Sequence, residues 1–157
     1  MLTQFQSHLT FEAVYLWANF GVLPFWFMLI IIPNSKITQI LINSVILPLI
    51  LASAYCYTIY QTILLEEPIF EIFKLYLSLD NLYTVFATES FLLVFWLHFL
   101  ALNLFLGSWV SRDGVKYNMP RSSTSISLIL IYFTGPLGLV LYWIIRIFYA
   151  KKLGFHD

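Results

Sequence analysis

Apolar positions fall in four long blocks along the chain, separated by short polar stretches. A helix needs about 20 apolar residues to cross roughly 30 Å of hydrocarbon. Residues 11–32, 37–65, 84–110 and 124–150 all reach that length. Backbone groups in lipid must be satisfied internally, so each block is read as a helix. Thr10 can cap the first, and Pro33-Asn34-Ser35 can end it. The third block is long enough to require tilt. The expectation is an all-α polytopic membrane protein: four transmembrane helices in one bundle, forming a single domain over residues 1–157.

The connections carry their own signals. Between the second and third blocks, Pro68 can open a short helix at about 68–79. Glu67, Glu71, Lys74 and Ser78 recur at helical spacing, opposite Phe70, Phe73 and Leu77. That narrow polar stripe predicts a helix lying in the membrane interface. Asp113-Gly114 reads as a turn. Ser122 to Thr124 can cap the helix that follows.

Composition supports the membrane reading. The chain is 61% hydrophobic, 19% aromatic and only 10% charged, where soluble domains carry about 25% charged residues. With Lys+Arg 8 against Asp+Glu 8 and no basic run, nothing points to nucleic acid. Cys56 is the single cysteine, so no disulfide framework or thiolate metal site is expected. The first ten residues hold no Lys or Arg, and the apolar run after them is too long for a signal-peptide core. A bacterial plasma membrane is the expected location. Four spans would put both termini and the 66–82 connection on one side. Lys74, Arg146, Lys151 and Lys152 would then balance Lys36, Arg112, Lys116 and Arg121, and the positive-inside rule would not decide the orientation. Lys36 after an uncharged start favours both termini outside.

Polar groups inside the third block are the candidate chemistry. An acid in hydrocarbon costs a few kcal/mol, so Glu89 there points to a function or to a paired, shallow or cavity-lining position. Glu89, Trp96 and Asn103 are spaced by seven and drift only about 20° per step, so they share one face. His98 lies nine residues from Glu89, about 180° around the helix. Imidazole is a common proton-transfer group, so His98 is a candidate for that role. His8 and His156 sit near the termini, so no second membrane imidazole completes a haem or metal pair. Asn19 and Asn103 are read as interhelical hydrogen-bonding groups. Pro24, Pro48 and Pro136 should bend their helices and leave room for a ligand. Gly135 and Gly138 flank Pro136 and allow close approach of another backbone. Arg146 is read as snorkelling to the headgroups, with pairing to an internal acid as the alternative. Trp17, Trp26, Trp109 and Trp143 suit interface anchors.

The string Trp96-Leu97-His98-Phe99-Leu100-Ala101-Leu102-Asn103-Leu104-Phe105, followed by Arg112-Asp113-Gly114, resembles the third-helix signature of the "abscisic acid deficient four" family. Gly135-Pro136-Leu137-Gly138-Leu139 is similar to the fourth-helix signature of its bacterial members. Asn19, Pro24, Trp26 and Pro33 resemble its first helix, and Phe86-Ala87-x-Glu89 its entry into helix three. The resemblance implies a four-helix membrane protein, plastid-located in plants, linked to conversion of violaxanthin to neoxanthin and to carotenoid isomerisation. Two positions depart from the plant pattern: Asn103 replaces an Asp, and Arg121-Ser122 replaces Arg-His. Each removes an ionisable group.

Two readings follow. In the first, the chain acts on a carotenoid or other polyene. Opening an epoxide to an allenic alcohol needs no redox cofactor, only an acid for the oxygen and a base for a carbon-bound proton. Glu89 and His98 are the candidates for these catalytic roles, with Asn19, Trp96, Asn103 and Arg146 as candidate substrate contacts. No cofactor or metal is called for. In the second, the protein binds a lipid, a polyene or a partner protein without catalysis, and the polar residues only hold helices together.

Overall fold

The computed structural model describes residues 10–42, 46–60 and 73–151. All regular structure among them is helical: α1 (Phe11–Ile31), α2 (Lys36–Leu41), α3 (Ile46–Ile59), α4 (Leu79–Phe86), α5 (Glu89–Lys116), α6 (Arg121–Thr134) and α7 (Pro136–Ala150), with a 3-10 turn at Lys74–Tyr76. Among the described residues, three stretches are long and apolar enough to cross a membrane: Phe11–Ile31, Lys36–Ile59 and Glu89–Lys116. Large apolar side chains such as Trp17, Phe20, Phe133 and Phe148 stand exposed on the outside. A monomer in water rarely shows so much contiguous apolar surface; lipid accounts for it.

Local chemistry sets the boundaries. The Thr10 hydroxyl accepts from the Ala13 N–H at 3.2 Å and starts α1, as expected. The chain then turns through Pro33-Asn34, and the Ser35 hydroxyl caps α2 by accepting from the Thr38 N–H at 3.1 Å. The Thr38 hydroxyl donates back to the Ile32 carbonyl at 2.9 Å, tying the turn shut. The expected interfacial helix at 68–79 lies partly outside the described residues, as does the end of the second block. Its described part is helical from Phe73 to Tyr76, and Ser78 then caps a separate helix, α4, accepting from Asn81 N–H at 3.2 Å. Helix α4, Leu79–Phe86, is amphipathic as well, and the third span begins only at Glu89, after a break at Ala87-Thr88. Asp113-Gly114 is no turn; α5 runs on to Lys116. Nor do Ser122 to Thr124 cap α6, whose N-cap is Pro120.

Helix α5 is the central post, packed by α1, α3, α6 and α7. Lipid tails are as apolar as leucine, so helix association relies on close fit and polar contacts. Gly107 supplies one such fit. A Cβ there would sit 2.7 Å from the Trp26 ring, so the indole lies directly on the α5 backbone. Trp26 is accordingly a core residue rather than an interface anchor, and its ring meets Tyr132 of α6 edge-on at 5.4 Å.

The last apolar block is the main departure from expectation. It is two helices that fold back on each other at Gly135. Gly135 takes φ +60° and ψ −89°, a region open to glycine and strained for any residue with a Cβ. Pro136 follows at the first position of α7, where its missing N–H costs nothing. A Cβ on Gly138 would run into the Ile131 backbone and the Ser127 carbonyl, so the arms touch backbone to backbone. Arms of 14 and 15 residues are about 21 and 22 Å long, short of the roughly 30 Å of hydrocarbon. Pro24 lies inside α1, as expected, and Pro48 lies in α3, while the residues just before α3 lie outside the described ones. Of the expected proline kinks, the one at Pro136 is a helix start instead.

The hairpin changes the sidedness of the chain. Contacts run from Gly114–Thr124 at one end of α5 to Asn103–Gly135 partway along it, and back to Asp113–Arg146. The chain leaves and re-enters at the same end. Lys36, Arg112, Lys116, Arg121, Arg146 and Lys151 all gather there, whereas Lys74 lies at the end that carries Glu12, Asp80 and Glu89. The positive-inside rule now points one way. In a Cys56→Ser background, Lys151→Cys is expected to resist an impermeant maleimide in right-side-out vesicles, while Asp80→Cys reacts. The reverse pattern would refute this sidedness. Gly135→Ala is expected to destabilise the protein by about 1–3 kcal/mol, read by denaturant titration in detergent, with Gly21→Ala, which faces open space, close to neutral.

Candidate functional site

Two helix N-termini meet at the acidic end of the bundle. Glu12 lies in the first turn of α1, and Glu89 is the first residue of α5. Both carboxylates are exposed and sit where the helix dipole favours negative charge. Glu89 is thus shallow, not several residues into a span. Between these helices opens a groove of about 590 Å³, walled by Phe11, Tyr15, Leu92, Leu93 and Trp96, with Glu12 and Glu89 on it. Trp96 is held in place by its indole N–H, which donates to Asn19 Oδ1 at 3.1 Å. The Asn19 amide in turn donates to the Tyr15 carbonyl at 2.7 Å. The Tyr15 and Trp96 rings lie 5.9 Å apart, and Phe99 stacks on Trp96 at 5.3 Å. Asn19 therefore serves Trp96 and α1. Trp96 also forms part of the groove wall.

The seven-residue spacing holds: Glu89 and Trp96 line one groove, and Asn103 lies further along the same side, 7% exposed. A Cβ at Gly135 would sit 2.7 Å from Asn103 Oδ1, while Asn103 Nδ2 is buried without a hydrogen-bond partner. Asn103 thus abuts the hairpin tip. His98 faces the other way. It is exposed on the α3 side, with its ring 5.4 Å from that of Tyr55. It does not line the groove, so Glu89 and His98 are not brought to one cavity.

Arg146 is the largest departure among the candidate residues. It is 1% exposed, so it does not snorkel. Its Nε donates to Asp113 Oδ2 at 2.6 Å, and the Tyr142 hydroxyl donates to the same oxygen at 2.6 Å. Nη2 reaches the Tyr117 hydroxyl at 3.3 Å. The guanidinium also lies over the Tyr117 and Trp143 rings, 4.8 Å from each centroid. This is the alternative reading, pairing with an internal acid. Asp113 itself is absent from the sequence candidates, masked by its resemblance to a turn. The available signal is that a lone arginine in an apolar block requires an anion.

The model of the ABA DEFICIENT 4-like family matches residues 13–142. The chain belongs to this family. It is also 27% identical over 128 residues to the chloroplastic Protein ABA DEFICIENT 4 of Arabidopsis thaliana, covering 80% of this chain and 57% of that relative. The chain thus spans little more than half the length of the curated relative it matches. No solved structure matches. The ABA DEFICIENT 4-like match includes Glu89, Asn103, Asp113 and Tyr142 and stops short of Arg146.

Removing one partner of a buried ion pair typically costs about 3–5 kcal/mol, because the other charge is stranded. Asp113→Leu and Arg146→Leu are each expected to destabilise this ABA DEFICIENT 4-like protein by that order. The double variant should recover much of the loss, since nothing charged is left without a partner. Additive losses in unfolding titrations of the three variants would contradict this.

Proposed function

We propose that this chain is a membrane protein of carotenoid metabolism whose groove between α1 and α5 takes the oxygenated end of a polyene. The observation that carries the reading is the groove itself: an aromatic and aliphatic wall with two carboxylates on it, in a chain of the ABA DEFICIENT 4-like family. Ligand pockets are mostly apolar with a few placed polar groups, and a cyclic polyene end group bearing an oxygen matches that pattern. The location is a membrane. The Arabidopsis relative is chloroplastic, and a bacterial plasma membrane is the location proposed from the sequence.

The chemistry proposed is isomerisation of an epoxide to an allenic alcohol. One carboxylic acid, at Glu89 or Glu12, gives its proton to the epoxide oxygen as the C–O bond breaks. The other carboxylate takes a proton from carbon. The proton lost by one carboxyl is gained by the other, and substrate and product are isomers, so no cofactor is consumed. Glu12 here stands in the place the sequence reading offers to His98. Asn19 and Trp96 shape the groove; Asn103 and Arg146 act through the hairpin.

A second reading has its own support. The Asn19–Trp96 bond and the Asp113–Arg146 pair both join helices, as expected if the polar groups only hold a lipid- or polyene-binding bundle together. Co-expression with a violaxanthin-producing pathway separates the two. Turnover is expected, and general acid–base roles predict a loss of about a hundredfold or more in Glu89→Gln and Glu12→Gln. Unchanged pigments with confirmed membrane expression favour the non-catalytic reading. His98→Gln decides between the two acid–base pairs. Retained turnover leaves the chemistry to the carboxylates, and lost turnover in folded protein returns it to the imidazole.

A further inference from the structure

At the basic end of the bundle, far along α5 from the carboxylate groove, α1, α5 and α6 enclose a second cavity, of about 220 Å³. Ser111 lines it from α5. That residue is 1% exposed, and its hydroxyl has no hydrogen-bond partner. Helix α6 borders the cavity with its first turn, through Arg121, Thr124 and Ser125. The N-cap of this helix is Pro120, which offers no side-chain acceptor, so no cap occupies the free N–H groups of that turn. Asn34 and Asn118 add amides, and among the described residues no carboxylate lines the cavity. An adjoining cavity shares Asn34 and brings in Arg112.

A guanidinium, an unoccupied hydroxyl donor, two amides and a helix N-terminus, with no acid among them, suit a tetrahedral oxyanion. The deeper walls, at Leu29 and Leu128, are apolar. The cavity lies where the helices end on the basic side. The geometry points to this cavity as a binding site for the phosphate of an anionic phospholipid headgroup, separate from the polyene groove. A free inorganic phosphate shares the oxyanion chemistry and lacks the apolar tail that the leucine walls accommodate.

The test uses the full chain in detergent, with binding read by native mass spectrometry against three probes: a short-chain phosphatidylglycerol, the matching phosphatidylcholine and inorganic phosphate. Wild type is expected to favour the anionic lipid about tenfold over the zwitterionic one. Loss of one charge-assisted contact predicts that Arg121→Gln removes about tenfold of anionic-lipid affinity, while Arg121→Lys keeps most of it. Ser111→Ala should lose about threefold, and Lys36→Gln, at the same end and outside the cavity, less than twofold. Helical circular dichroism checks folding; should Ser111→Ala fail it, the two Arg121 variants still decide. Equal affinity in wild type and Arg121→Gln overturns the site. So does an equal loss in Lys36→Gln, which would signify diffuse attraction. Inorganic phosphate that binds as tightly as the lipid overturns the lipid assignment.

Discussion

A guanidinium surrounded by apolar helices must find an anion, and Arg146 finds Asp113 only because the chain reverses at Gly135. Without the reversal, α7 would carry Arg146 away from the end of α5 that holds the acid. The constraint propagates. Asp113 must stay helical rather than turn, Tyr142 must lie on the same face of α7 one turn earlier, and Tyr117 and Trp143 must sandwich the charge. Glycine is required at 135 for its backbone angles and at 138 for contact between the arms. The residues with the least side chain thus set the position of the one with the most charge.

The two ends of the bundle differ in kind. One is acidic, with Glu12 and Glu89 at helix starts beside an aromatic groove. The other is basic and rich in hydroxyl and amide donors. Helix α5 joins them along about 42 Å of backbone. Its sevenfold face carries Glu89, Trp96 and Asn103 past α1 to the hairpin tip, and its opposite face carries His98 against α3. A ligand in the groove therefore meets the carboxylates without meeting the imidazole.

Much of this is legible in the sequence. Apolar length finds α1 and the body of α5, the Thr10 cap is readable from residue type, and helical arithmetic places Glu89 and His98 on opposite faces. The hairpin is not legible, because residues 124–150 have the length and composition of a span. Only the geometry at Gly135 turns it, and hydropathy does not register backbone angle. In sequence the Gly135-Pro136 pair reads as a kink in a continuous helix; φ of +60° makes it a reversal. Asp113-Gly114 misleads for the opposite reason. A dipeptide that often turns is kept helical by the ion pair and by Thr124 packed against Gly114. Arg146 is misplaced by sequence because snorkelling suits an arginine near a helix end, and its true partner lies 33 residues back in the chain.

The hairpin also bears on how the protein is made. Acid precedes arginine in the chain, so Asp113 is already set in the membrane on α5 when Arg146 leaves the ribosome. The charged newcomer meets a waiting counter-ion instead of bare lipid. Because both arms dip in from the side on which α5 ends, the described residues from Tyr117 to Lys151 carry no polar segment across the bilayer. Placing the hairpin is thus a step of docking against an α5 that already carries the acid.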